Sequence, residues 1–126
     1  MKNNKLLSLV FGLVLLPFML AACSSQASFP TGKFIKSGEP NHALVFNEDG
    51  TFSVMEGSTT LVIGTYTVDG DTYTEVSNNF GCLTPMSFTY TFDGTNLTFN
   101  YVGNPEDDPC GGRRGDFDNK TYTLSE

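Results

Sequence analysis

Three cysteines, a single histidine and fourteen carboxylates supply the chain's candidate catalytic and metal-binding groups. Hydrolysis through a histidine-activated nucleophile would have to pass through His42. That residue opens a strand-like stretch after Glu39-Pro40-Asn41, and no Gly-X-Ser-X-Gly elbow occurs anywhere. Carboxylates are plentiful, yet nothing in their spacing selects a pair for acid–base work. Many sit in turn-like stretches, where Asp bends the chain through its own backbone hydrogen bonds. The glycine-rich Cys110-Gly111-Gly112-Arg113-Arg114-Gly115 lacks the strand-to-helix setting of a phosphate loop. Glu106, Asp107 and Asp108, with Asp116 and Asp118, gather hard oxygen ligands in residues 103–118. Calcium would favour such oxygens, but their spacing follows no calcium loop and a solvated flank accounts for them. The expectation is a protein that is not an enzyme, with no catalytic residue, no metal and no cofactor.

The positioning elements begin with the N-terminus, which has the three parts of an export signal. Lys2 and Lys5 form a basic start, and Leu6 to Leu20 is apolar except for Ser8, Gly12 and Pro17. At 15 residues the run is short for a permanent span, which needs roughly 20. Small Ala21 and Ala22 follow. The stretch Leu20-Ala21-Ala22-Cys23, with Ser24-Ser25 after it, resembles the lipobox of bacterial lipoproteins. That resemblance implies that residues 1–22 are removed and that Cys23 becomes a diacylglycerol-bearing N-terminus. The product would be held at the bacterial cell envelope, on the outer membrane or the outer face of the cell membrane. Its contact with the membrane would run through the acyl chains.

Removing Lys2 and Lys5 takes the formal charge from −7 to −9 and leaves five basic residues in 104. So acidic a chain has no electrostatic footprint for nucleic acid. It would also be repelled by anionic headgroups, so two or more acyl chains must provide the anchor. With Cys23 used for lipid, Cys82 and Cys110 remain as a disulfide pair for an oxidising compartment. Metal ligation is the competing reading, but two cysteines and one distant histidine make a poor zinc set. The bridge would close 29 residues, worth roughly 3–4 kcal/mol on a chain-entropy account.

Residues 23–31 read as the lipidated cysteine and a tether, and 32–126 as one domain. Within it, Thr, Val, Phe and Tyr dominate, and no 3.6-residue period appears. Eight segments read as strands: 32–37, 42–47, 51–56, 60–68, 72–77, 86–92, 96–102 and 117–124. Asp-Gly pairs at Asp49-Gly50, Asp69-Gly70 and Asp93-Gly94 supply the positive φ of tight hairpins. Met86, Phe88, Tyr90 and Phe92 alternate with Ser87, Thr89 and Thr91; Leu97, Phe99 and Tyr101 alternate with Thr98 and Asn100. Each strand therefore has one apolar face. Closing the sheet covers that face and removes both edges. The expected fold is all-β, a small eight-stranded antiparallel up-and-down barrel, with a β-sandwich as the alternative.

The chain resembles the small bacterial lipocalin-like (calycin-type) β-barrels. Gly32-Lys33-Phe34, Asn47-Glu48-Asp49-Gly50-Thr51-Phe52 and Gly64-Thr65-Tyr66-Thr67-Val68 carry the likeness, as do Tyr90 to Phe99 and Asp108-Pro109-Cys110-Gly111-Gly112-Arg113. Lipocalins close the barrel with a first-strand tryptophan under an arginine. This chain has no tryptophan, so Phe34 would take that place, with Arg113 or Arg114 above it.

The resemblance implies a cup for a small apolar or amphipathic ligand, lined by Phe88, Tyr90, Phe99 and Tyr101. The same rings would otherwise be plain core packing, since eight strands enclose room for either side chains or one small ligand. The alternative function is a filled barrel, an interaction or inhibitor module that meets another envelope or extracellular protein through its loops.

Overall fold

The computed structural model describes residues 28–77, 83–110 and 112–126. Its strands are β1 (Gly32–Lys36), β2 (Glu39–Phe46), β3 (Thr51–Glu56), β4 (Thr59–Asp69), β5 (Thr72–Ser77), β6 (Met86–Phe92), β7 (Asn96–Tyr101) and β8 (Lys120–Leu124). Each pairs antiparallel with the next, and β8 pairs with β1, so the sheet closes in sequence order. This is the up-and-down barrel expected, and closure excludes the sandwich.

Two strand boundaries differ from the sequence reading by more than one residue. The last strand starts at Lys120 rather than Phe117, because Arg113–Asp116 form a 3-10 turn. The N–H of Phe117 bonds to the carbonyl of Arg114, which takes Phe117 out of extended geometry. The second strand starts at Glu39, three residues before His42, opposite an irregularity at Ile35/Lys36 that accommodates Pro40.

The hairpins follow from their turn residues. Asp93 Oδ1 accepts the N–H groups of Thr95 and Asn96 at 2.8 and 2.6 Å, and Gly94 has φ +99°. Asp49 Oδ1 accepts from the N–H and hydroxyl of Thr51 at 2.9 and 2.6 Å, beside Gly50 at φ +82°. In both, the carboxylate folds the chain back and glycine takes the left-handed conformation that other residues resist. These turns lie at the barrel end that also carries both ends of the described chain, the terminal end. The β5–β6 and β7–β8 connections lie at the other, the loop end.

The alternating inward residues fill the interior. Phe34, Leu44, Phe46, Phe52, Tyr73, Phe88, Leu97, Phe99 and Tyr122 are buried, each apolar side chain contributing roughly 1.5–3 kcal/mol. Phe117 drops in from the β7–β8 connection, its ring 5.2 Å from Phe88 and 5.4 Å from Phe99. Gly64 on β4 makes room for Phe52: a Cβ there would overlap that ring and lie 2.5 Å from the carbonyl of Val76.

The outer surface is split. On β5–β8 hydroxyls pair across strands, Thr74 with Ser87 at 2.8 Å and Thr98 with Thr121 at 2.9 Å. On β4, by contrast, Leu61 and Ile63 stand exposed.

Candidate functional site

The four expected ligand-lining residues do meet on one face. Phe88 pairs with Tyr101 and Tyr90 with Phe99 across the β6–β7 ladder. Phe88 and Phe99 are fully buried and lie 6.0 Å apart by ring centroid. Tyr73 joins them from β5, 5.2 Å from Phe99 and 6.1 Å from Phe117. These rings pack against one another across the barrel interior. Tyr90 lies towards the terminal end, where its hydroxyl donates to the carbonyl of Gly70 at 3.3 Å.

Phe29 fills the terminal end. Its ring lies 4.9 Å from Tyr90, 5.1 Å from Phe46 and 5.3 Å from both Tyr66 and Tyr73. Phe29 lies in the stretch 23–31 expected to be a tether, yet its ring packs against the core. One aromatic residue in a polar stretch carries no periodic signal, so only tertiary packing exposed its role.

The residues proposed to close the barrel are not brought together. Phe34 packs on Phe46 and Phe92, at 5.9 and 6.0 Å. Arg113, at the loop end, donates to the carbonyl of Thr84 and to Asp108 Oδ1, the latter at 3.1 Å. The Arg114 guanidinium lies 5.4 Å from the centroid of the Tyr101 ring. The physical reason is connectivity: Arg113 and Arg114 occupy a turn at the loop end, whereas Phe34 faces rings towards the terminal end. Cys23 and Cys82 lie outside the described residues, so the expected lipidation and one half of the expected disulfide do too. Cys110 lies in the β7–β8 connection, where its N–H donates to Asp108 Oδ1 at 3.0 Å.

The loop end carries a polar cluster that the sequence reading did not single out. Glu75 is 1% exposed on the inward face of β5, between Tyr73 and Ser77. Its Oε2 is sealed from water and has no hydrogen-bond partner, and the same holds for Tyr73 Oη, Asp108 Oδ2, Arg113 Nε and Arg114 Nη1. Burial pushes the Glu75 carboxyl up to about 7, against the pull of the Arg113 guanidinium and with a smaller push from Asp108. Burial also pushes the Tyr73 phenol well above its ordinary range, with Glu75 adding to the effect. Burial opposes ionisation of Asp108 as well, but the Cys110 N–H and Arg113 outweigh it and hold that carboxyl low. Alternation along Thr72–Ser77 was the available signal: it places Glu75 on the same face as Tyr73.

His42 lies at the same end, 7% exposed. Its Nδ1 is 3.4 Å from Glu56 Oε2 and its Nε2 is 3.7 Å from Asp116 Oδ1. No serine, threonine or cysteine contact makes this a nucleophile-activating arrangement among the described residues. Nor do the described residues include a group of three or more His, Cys, Asp or Glu able to hold a metal ion.

No protein-family model, curated protein or solved structure matches the chain. The functional reading therefore stands on the sequence and on the barrel itself.

Proposed function

We propose that this protein is a non-enzymatic, lipocalin-like lipoprotein of the bacterial envelope, anchored through acylated Cys23, whose filled barrel presents a surface to another envelope or extracellular protein. The observation that carries this reading is the interior: Tyr73, Phe88, Phe99 and Phe117 pack against one another, and Phe29 plugs the terminal end. On this reading side chains take the space that a guest would need. The barrel then serves as a rigid frame for its connections, the usual place for recognition on a β scaffold. Exposed Leu61 and Ile63 on the outer face of β4 add apolar surface of the kind found at protein contacts.

The second reading is the cup for a small apolar molecule. One observation favours it: the plug at the terminal end is Phe29, a side chain from outside the strands. Its withdrawal would uncover Phe46, Tyr66, Tyr73 and Tyr90.

Native mass spectrometry of the exported protein, compared with the denatured sample, separates the two. A bare polypeptide mass, with the acyl group alone, is expected. A further mass that disappears on denaturation would overturn the filled-barrel reading in favour of the cup.

A further inference from the structure

The cluster at the loop end has an unusual composition for a barrel interior. Five polar atoms from Tyr73, Glu75, Asp108, Arg113 and Arg114 are buried without partners. An unpaired buried polar group costs roughly 1–3 kcal/mol, and a charged one more, so such a cluster calls for a compensating interaction. The unpaired atoms are sealed from water. The ligand that can reach Glu75 without rearranging its surroundings is therefore a proton.

The surroundings define what the proton controls. Glu75 shares its face of β5 with Tyr73 and Ser77, pairs across β6 with uncharged Met86, and lies opposite Tyr66 on β4. The charges acting on it are Arg113 and Asp108, both from the β7–β8 connection. Arg113 holds that connection in place by donating to Asp108 and to Thr84. The Asp108 side chain is 1% exposed and that of Arg113 14%, so this ion pair is largely buried. A neutral Glu75 leaves it undisturbed. A charged Glu75 is a second buried anion competing for the same guanidinium, whose Nε–H is free to answer.

We propose that Glu75 is a proton-operated clasp for the loop end of the barrel. With the carboxyl protonated, Arg113 stays on Asp108 and Thr84 and the turn at Arg113–Asp116 is held down. When the proton leaves to solvent, Arg113 is drawn towards Glu75 and the residues it held are released. The inference goes beyond the proposed docking function and does not depend on it, because the clasp operates in the isolated protein.

Hydrogen exchange on the full chain in mild detergent, at pH 6 and pH 8 and corrected for intrinsic rates, tests it. Exchange at Arg113–Asp118 and at residues 83–84 is expected to rise about tenfold, the change in charged fraction of a carboxyl titrating near 7. Exchange in β3 should remain far slower than at the loop end, rising only as global stability falls, and Glu75→Gln should remove the rise at the loop end. A rise that persists in Glu75→Gln would assign the effect to another group, His42 first, and overturn the proposal. No rise at the loop end, or loop-end exchange no faster than that of β3, would overturn it too. If Glu75→Gln fails to fold, the wild-type chain still decides. The Glu75 carboxyl carbon and the Arg113 Nε signal should then titrate together, and an Arg113 signal that stays still would sink the clasp.

Discussion

The ring of Phe29 stacks on that of Tyr73, with centroids 5.3 Å apart and planes 24° from parallel. Tyr73 in turn touches Phe99 and Phe117, so a residue ahead of the first strand is joined to the centre of the core. The barrel therefore begins before β1. If Cys23 carries the acyl anchor, the six residues to Phe29 reach at most roughly 20 Å. The terminal end would then face the membrane and the loop end would face away.

Removing that ring should loosen the plug without opening the sheet. Phe29→Ala is expected to cost about 2 kcal/mol, less than the 3–5 typical of fully buried Phe because Phe29 is only half-buried. Urea unfolding measures it, and a loss under 0.5 kcal/mol would show that the contact contributes little.

Gly64 tests the packing of the opposite wall. Gly64→Ala should destabilise by about 1–3 kcal/mol, since its methyl would collide with Phe52 and crowd the carbonyl of Val76. Combining it with Phe52→Leu should cost less than the sum of the two single changes, by thermal or denaturant melts. Additivity would mean that the two residues do not compete for the same space.

The buried carboxyl predicts an unusual pH dependence. Burial raises Glu75 from 4.5 to about 7 in the folded state. Between those values the folded protein binds more protons than the unfolded chain, so stability falls as pH rises from about 5 to 7 and then levels. The loss is at most about 3 kcal/mol. Asp49 and Asp93 are held below the ordinary range by their turn hydrogen bonds and give the opposite slope, but only in more acidic solution. Urea midpoints at pH 5.5 and 8 should differ in the wild type and converge in Glu75→Gln. Equal wild-type midpoints would refute the prediction.

The anchor and the bridge are tested by the cysteines. Cys23→Ser should move the protein from the membrane fraction to the soluble one; continued membrane fractionation would rule out acylation as the tether. Thiol titration of the native exported protein should find no free thiol at Cys82 or Cys110. Two free thiols would disprove the bridge.

Particular residues show how much could be read in advance. The hairpins at Asp49-Gly50 and Asp93-Gly94 were legible because a turn is local: the carboxylate, the next N–H groups and the glycine lie within four residues. The inward faces of β6 and β7 were legible for the same reason, since side chains alternate along a strand whatever it packs against. The start of β8 was misplaced because Phe117 has a strand-like composition, yet its backbone obeys a 3-10 turn formed four residues earlier. Arg113 was matched to Phe34 by family likeness, but the turn puts it against Thr84 and Asp108.

The sequence by itself determined the strand count, the turn positions and the alternation that makes one face apolar, because each depends on neighbours along the chain. Tertiary structure alone decided that Phe29 enters the barrel, that Gly64 yields space to Phe52, and that Glu75, Asp108 and Arg113 share one buried site. Phe29 lies 61 positions from Tyr90, Gly64 12 from Phe52, and Glu75 38 from Arg113. Closure of β8 onto β1 sets which of them meet, and burial then sets what their charges cost.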